Sequence, residues 1–179
     1  MRPIARRFRR WGYRTANSDY APGPAGLTDV LALYDELRAQ RPDDRVCVYG
    51  ESAGGHWALL LAALRPDVNC VIALAAPVDL VDPALGGVLD TIIGQVFGAA
   101  RSSYSPLSIA GWIQAPVLLA YGLDDAVVPV EQGQRMHAAL AGSKLVLMAP
   151  GATAWVHGTS STRALRRLNA RERSWLDGS

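Results

Sequence analysis

The stretch Val46-Cys47-Val48-Tyr49-Gly50-Glu51-Ser52-Ala53-Gly54-Gly55-His56 decides the reading of this chain. Val46 to Tyr49 is a short apolar run of β-formers, and Ala53 to Leu64 reads as a helix. Between them lies G-x-S-x-G. A serine hydroxyl is a poor nucleophile unless it meets a base and an electrophile together. A sharp turn after a strand lifts it clear of the sheet, with its backbone strained. The glycines let strand and helix pack closely, and the Ala53 amide at the helix start can point at a developing oxyanion. The motif alone arises by chance in about one chain in fifteen of this length. The strand-turn-helix context removes most such accidents.

Outward from this turn, apolar β-rich runs alternate with helical patterns. Cys70 to Ala75, Val117 to Tyr121 and Lys144 to Met148 read as strands. Leu27 to Gln40, with Thr28 as a cap, reads as a helix, as do Val130 to Leu140 and Ser161 to Trp175. Tyr13 to Tyr20 reads as a further strand. The order predicts βαβ crossovers, hence an α/β fold with a mostly parallel sheet and helices on both faces. One domain spans residues 1–179. The stretch 78–112 interrupts the alternation with irregular sequence and an apolar run, Val88 to Phe97, and could form a small cap over a site.

Sheets of this kind bind ligands beyond the carboxyl ends of their strands. Gly122-Leu123-Asp124-Asp125-Ala126-Val127-Val128-Pro129 follows one strand, and a loop ending at His157-Gly158 follows the next. Serine, acid and histidine, each past a strand end, stand in the order used by α/β-hydrolases. Asp124 and Asp79 are lesser candidates for the acid and His56 for the base, while His137 reads as an exposed helix residue. Glu51, His56 and Trp155 are candidates for pocket lining. Trp112 and Trp155 suit either an acyl pocket or the core.

Gly50-Glu51-Ser52-Ala53-Gly54-Gly55-His56 resembles the nucleophile elbow of the esterase, arylformamidase and prolyl-oligopeptidase-like branches of the α/β-hydrolase superfamily. G-x-x-D-x-x-V-P resembles their acid loop and selects Asp125, and His157-Gly158 resembles their histidine loop. The resemblance runs from about Trp11 to Trp175. It implies Ser52 as nucleophile, His157 as base, Asp125 as its orienting acid and the Ala53 amide as an oxyanion donor. The implied activity is cleavage of carboxylic esters through an acyl-enzyme without a cofactor. A serine peptidase or arylformamidase with the same triad is the second reading, and an inactive remnant or binding domain the third. The family's earlier strands, and the H-G-G-G-like loop with the second oxyanion donor, have no counterpart here. The resemblance places the missing third strand between the strands matching Tyr13 to Tyr20 and Val46 to Tyr49. The chain is then a fragment, starts late, or rearranges its sheet.

Composition bounds the rest. Half of the 179 residues are hydrophobic, 19% are charged, and the net charge is +2. That predicts a packed core and argues against nucleic acid as a partner. Ile4, Phe8 and Trp11 among Arg6, Arg7, Arg9 and Arg10 predict an amphipathic helix. No apolar run reaches the roughly 18 residues of a membrane span, and no apolar signal segment follows the arginines. The expectation is a cytoplasmic protein with Cys47 and Cys70 as buried free thiols. No histidine spacing suggests a metal. The expected partner is a small ester or acyl substrate, with homo-oligomer formation left open.

Overall fold

The computed structural model describes residues 2–85, 87–148 and 162–178. Among these, β1 (Cys47–Glu51), β2 (Cys70–Leu74), β3 (Val117–Gly122) and β4 (Ser143–Met148) form a parallel sheet in that spatial order. Its helices are α1 (Arg2–Arg10), α2 (Pro24–Gln40), α3 (Ala53–Leu64), α4 (Val88–Phe97), α5 (Val130–Ala139) and α6 (Thr162–Gly178). Because strand side chains alternate, each strand feeds two cores. Val71, Ala73, Leu119 and Tyr121 join Val30 and Tyr34 of α2, Leu59 and Leu60 of α3 and Met136 of α5. Ile72, Leu74, Leu118 and Ala120 join Phe8 of α1 and Leu168 and Leu176 of α6. Helices thus cover both faces, which explains why β2 and β3 are apolar without alternation.

Three expectations need correction. Among the described residues, Tyr13 to Tyr20 pairs with no strand. A strand partner must lie about 4.8 Å away. Instead, a groove of about 1000 Å³ lies beside β1, lined by Tyr13, Thr15, Val46, Val48 and Trp57 among others. The hydrogen-bonded neighbour of β1 is β2, so this groove follows its open edge. Cys47 and Cys70 are not free thiols. They face each other in the β1–β2 register with Cα atoms 4.5 Å apart, and they form a disulfide. Helix α2 starts at Pro24, whose fixed φ suits a first turn, so Thr28 lies inside it and caps nothing.

The stretch 78–112 is more ordered than expected. It holds α4 and the 3₁₀ turns Pro83–Leu85, Gly98–Tyr104 and Pro106–Trp112. Its start is tied to α5 by one buried side chain. Gln132 Oε1 accepts from Val78 N–H (2.8 Å) and Asp79 N–H (2.9 Å), and its amide donates to Asp82 (2.7 Å).

Candidate active site

Strand β1 ends where α3 begins, and the turn between them is Ser52. Its φ of 51° is one that residues with a Cβ rarely adopt. Two hydrogen bonds hold it: Ser52 N–H donates to Leu74 O of β2 (2.8 Å), and Ser52 O accepts from His56 N–H (3.0 Å). The glycines are needed because a Cβ on Gly50 would stand 2.0 Å from Gly54 O, and one on Gly55 would stand 2.9 Å from the Ala76 Cβ. Ser52 is half-buried and Ala53 exposed. Ala53 opens α3, so its N–H is among those of the first turn that have no partner within the helix.

Asp125 lies three residues beyond β3, and its Oδ1 accepts from Val127 N–H (2.9 Å) and Val128 N–H (3.0 Å). These bonds fix the carboxylate in its loop. Asp124 beside it is exposed. Asp79 pairs with Arg135 (2.5 Å), which points to a structural role. His137 is exposed, as expected, and bonds Ser143. His157 and Trp155 lie outside the described residues.

Beside Ser52 is a recess of about 180 Å³. One face of α4 lines it with Leu89, Ile92, Ile93, Val96 and Phe97, spaced as helix neighbours are. His56 is a wall of this recess and 3% exposed. Its Nδ1 sits 3.1 Å from Pro77 O. A carbonyl only accepts, so Nδ1 carries the proton, and Nε2 presents a lone pair. Burial lowers the His56 pKa to about 4, partly opposed by the Pro77 bond. Trp112 is 60% exposed and belongs neither to this recess nor to the core.

Glu51 does not line the recess. It accepts from the Tyr49 hydroxyl on the α1 and α6 face of the sheet. There Arg7 reaches Glu172 at 2.7 Å and donates to Asn169 (2.6 Å), with its guanidinium over Phe8, Trp11 and Tyr49. The Arg7–Glu172 approach is a charge contact and not an aligned hydrogen bond. Burial raises the Glu172 pKa to about 7, and Arg7 opposes this. Among the described residues no cluster of three or more His, Cys, Asp or Glu side chains is placed to hold a metal ion.

Residues 15–179 match the prolyl oligopeptidase family model. The chain belongs to the prolyl oligopeptidase family. It is also similar to the pimeloyl-[acyl-carrier protein] methyl ester esterase of Neisseria meningitidis serogroup B, at 29% identity over 70% of this chain and 68% of the esterase. Among solved structures, a puromycin hydrolase superposes with a TM-score of 0.67 at 25% identity, over 86% of this chain and 25% of its own. The acylaminoacyl peptidase of Pyrococcus horikoshii shares the fold, with a TM-score of 0.73 at 18% identity over 87% of this chain and 28% of its own. The chain therefore spans about a quarter of the length of these two hydrolases. As a family member it has the α/β-hydrolase fold and a serine-hydrolase relationship. Among the described residues, no helix is long and apolar enough to cross a membrane.

Sequence reasoning missed the lone pair of His56 and the Gln132 tie. The spacing 89, 92, 93, 96 and 97 could have marked the α4 face. Nothing local signals the tautomer of His56, because its partner, Pro77, lies on another element.

Proposed function

We propose that this chain cleaves carboxylic esters through an acyl-enzyme on Ser52. The observation that carries the reading is Ser52 itself: a strained, half-buried serine between a strand end and a helix start, beside an apolar recess. Ser52 Oγ attacks the ester carbonyl carbon while His157 takes its proton. His157 then protonates the leaving alkoxide as the ester C–O bond breaks. Asp125 holds His157 in the tautomer that accepts this proton, and the Ala53 N–H steadies the oxyanion. Water, deprotonated by His157, attacks the acyl carbon and frees Ser52. The segment 78–112 serves as a cap, with α4 over the acyl group. No cofactor enters.

A second reading is amide or peptide cleavage by the same residues, favoured by the match to the prolyl oligopeptidase family. Two measurements decide. Wild-type protein should bind a fluorophosphonate probe, and Ser52→Ala should not. Full labelling of the variant overturns the nucleophile. Turnover of a p-nitrophenyl ester against the matching p-nitroanilide then separates ester from amide specificity.

A further inference from the structure

The net charge of +2 is spread unevenly over the chain. Helices α1 and α6 hold ten of the 18 Lys and Arg residues, all of them arginine, and two of the 16 Asp and Glu. Ten cations against two acids give these two helices a formal +8. Eight cations against 14 acids leave all other residues at −6. One of the two acids, Glu172, is fully buried against Arg7, so it does not offset the outer side.

Both helices cover the same face of the sheet. Phe8 of α1 and Leu168 and Leu176 of α6 share one core, and Arg7 joins the helices through Asn169 and Glu172. The inward stripe of Ile4, Phe8 and Trp11 turns Arg6, Arg9 and Arg10 outward. These three are exposed, as is Arg171 of α6. Among the described residues, Arg9, Arg10 and Arg171 have no acidic partner and no hydrogen bond. Outside the two helices Arg38, Arg65, Arg101 and Arg135 each reach a carboxylate. Like charges at i, i+3 and i+4, as at Arg6, Arg9 and Arg10, destabilise a bare helix. An anionic partner on this face removes that repulsion.

Surface chemistry narrows the partner. Among the described residues, the large apolar side chains that are exposed are Val81, Val88, Ile92, Trp112, Leu123 and Leu147, and none belongs to α1 or α6. A protein docking here would miss the apolar centre around which protein interfaces are built. A single-stranded nucleic acid would miss the exposed aromatic platforms on which bases stack. A surface of anionic lipid headgroups needs neither, because each cation adds its own attraction without a matched shape. Arginine suits that surface further, since its planar fork pairs with phosphate through two parallel hydrogen bonds.

We infer that α1 and α6 form a basic face that docks the protein on anionic phospholipid membranes, with the outward arginines on the lipid phosphates. The inference rests on the ester reading only for its consequence: apolar esters partition into lipid, so docking brings the protein to where such substrates concentrate.

The test is co-sedimentation with vesicles of phosphatidylcholine alone and of phosphatidylcholine with about one third phosphatidylglycerol. At about 0.1 M salt, wild type should partition at least about tenfold more strongly onto the anionic vesicles. At about 1 M salt, where charges are screened beyond about 3 Å, it should come off. Arg9→Gln, Arg10→Gln and Arg171→Gln should each weaken binding about fivefold, and the triple variant about a hundredfold. Arg41→Gln, an exposed arginine at the end of α2, should change it less than about twofold. Equal binding to both vesicles, or binding that survives high salt, overturns the inference without any variant having to fold. A triple variant that binds as wild type does overturns the choice of face. Tighter binding to duplex DNA or to RNA than to the anionic vesicles, at equal phosphate concentration, overturns the membrane in favour of nucleic acid. Sedimentation needs no turnover and can be run on Ser52→Ala protein. Vesicle binding without ester cleavage therefore keeps the basic face and sinks the hydrolase reading, and cleavage without vesicle binding does the reverse.

Discussion

A Cβ on Gly50 would stand 2.0 Å from the carbonyl oxygen of Gly54, and that oxygen cannot withdraw because it belongs to the first turn of α3. The closeness is what allows Ser52 to turn so sharply between strand and helix. Gly50→Ala should therefore cost at least about 3 kcal/mol, in the upper range for single substitutions. Gly111→Ala meets nothing within 4 Å and should stay within about 0.5 kcal/mol of wild type. Urea midpoints of the two variants check this. Similar midpoints would mean that the turn can relax, and the packing account would fail.

The Gln132 tie gives a second expectation. Gln132→Leu keeps the volume and removes the acceptor for two N–H groups, of which that of Val78 is fully buried. At roughly 1–3 kcal/mol for each orphaned donor, the loss should be about 2–6 kcal/mol. Amide hydrogen exchange at Val78 and Asp79 should quicken more than in the strands. Unchanged exchange there would show that the segment holds without Gln132.

Most of the sheet was legible because its signals are local. Val117 to Tyr121 and Cys70 to Ala75 are short uninterrupted apolar runs, as strands covered on both faces are. The glycines around Ser52 announced the turn for the same reason. What sequence could not supply depends on register or on distant partners. Cys47 and Cys70 meet only because the β1–β2 register puts them opposite each other, and no crossover length reveals that. Tyr13 to Tyr20 has strand composition, yet a strand exists only with a neighbour in reach, and the groove beside β1 shows none there. Gln132 reads as one more polar helix residue until Val78 is placed 2.8 Å from it.

The cysteine pairing is directly testable. Cys47 and Cys70 enclose a chain segment with a sequence separation of 23, and closing a loop of this size stabilises by roughly 3 kcal/mol in the chain-entropy view. Purified protein unfolded without reductant should show no thiol reactive to Ellman's reagent, and the reduced protein should show both. Reduction should lower the unfolding free energy by roughly that amount. Full thiol reactivity of the oxidised sample would restore the free-thiol expectation.

The neighbouring acids Asp124 and Asp125 should differ sharply in effect. Asp125 is held by two backbone N–H groups at the end of β3, whereas Asp124 is exposed. Asp125→Asn should lower turnover by about 10⁴, the cost of losing the right histidine tautomer in a triad. Asp124→Asn should change it severalfold at most. Steady-state rates on one p-nitrophenyl ester decide, and the reverse ranking would move the role to Asp124.

Two buried groups with opposite shifts set the pH response. Burial lowers the His56 pKa from 6.5 to about 4. The unfolded chain therefore takes up a proton that the folded one refuses, and stability that is full above pH 6.5 is lost as pH falls to about 4. The loss is about 3 kcal/mol. Glu172 runs the other way. Burial raises its pKa from 4.5 to about 7, against the pull of Arg7. Its folded form keeps a proton that the unfolded chain has released, so stability present below pH 4.5 is lost as pH rises to about 7, by a similar amount. Between pH 4.5 and 6.5 the two slopes oppose, and these two groups together leave the wild type nearly flat. His56→Phe leaves Glu172 alone, so its stability should rise as pH falls from 7 to 4.5. Glu172→Gln leaves His56 alone, so its stability should fall from pH 6.5 to 4. Urea midpoints at half-unit steps read these slopes directly, independent of the baseline cost of either substitution. If both variants keep the wild-type slope, neither group titrates as its burial requires.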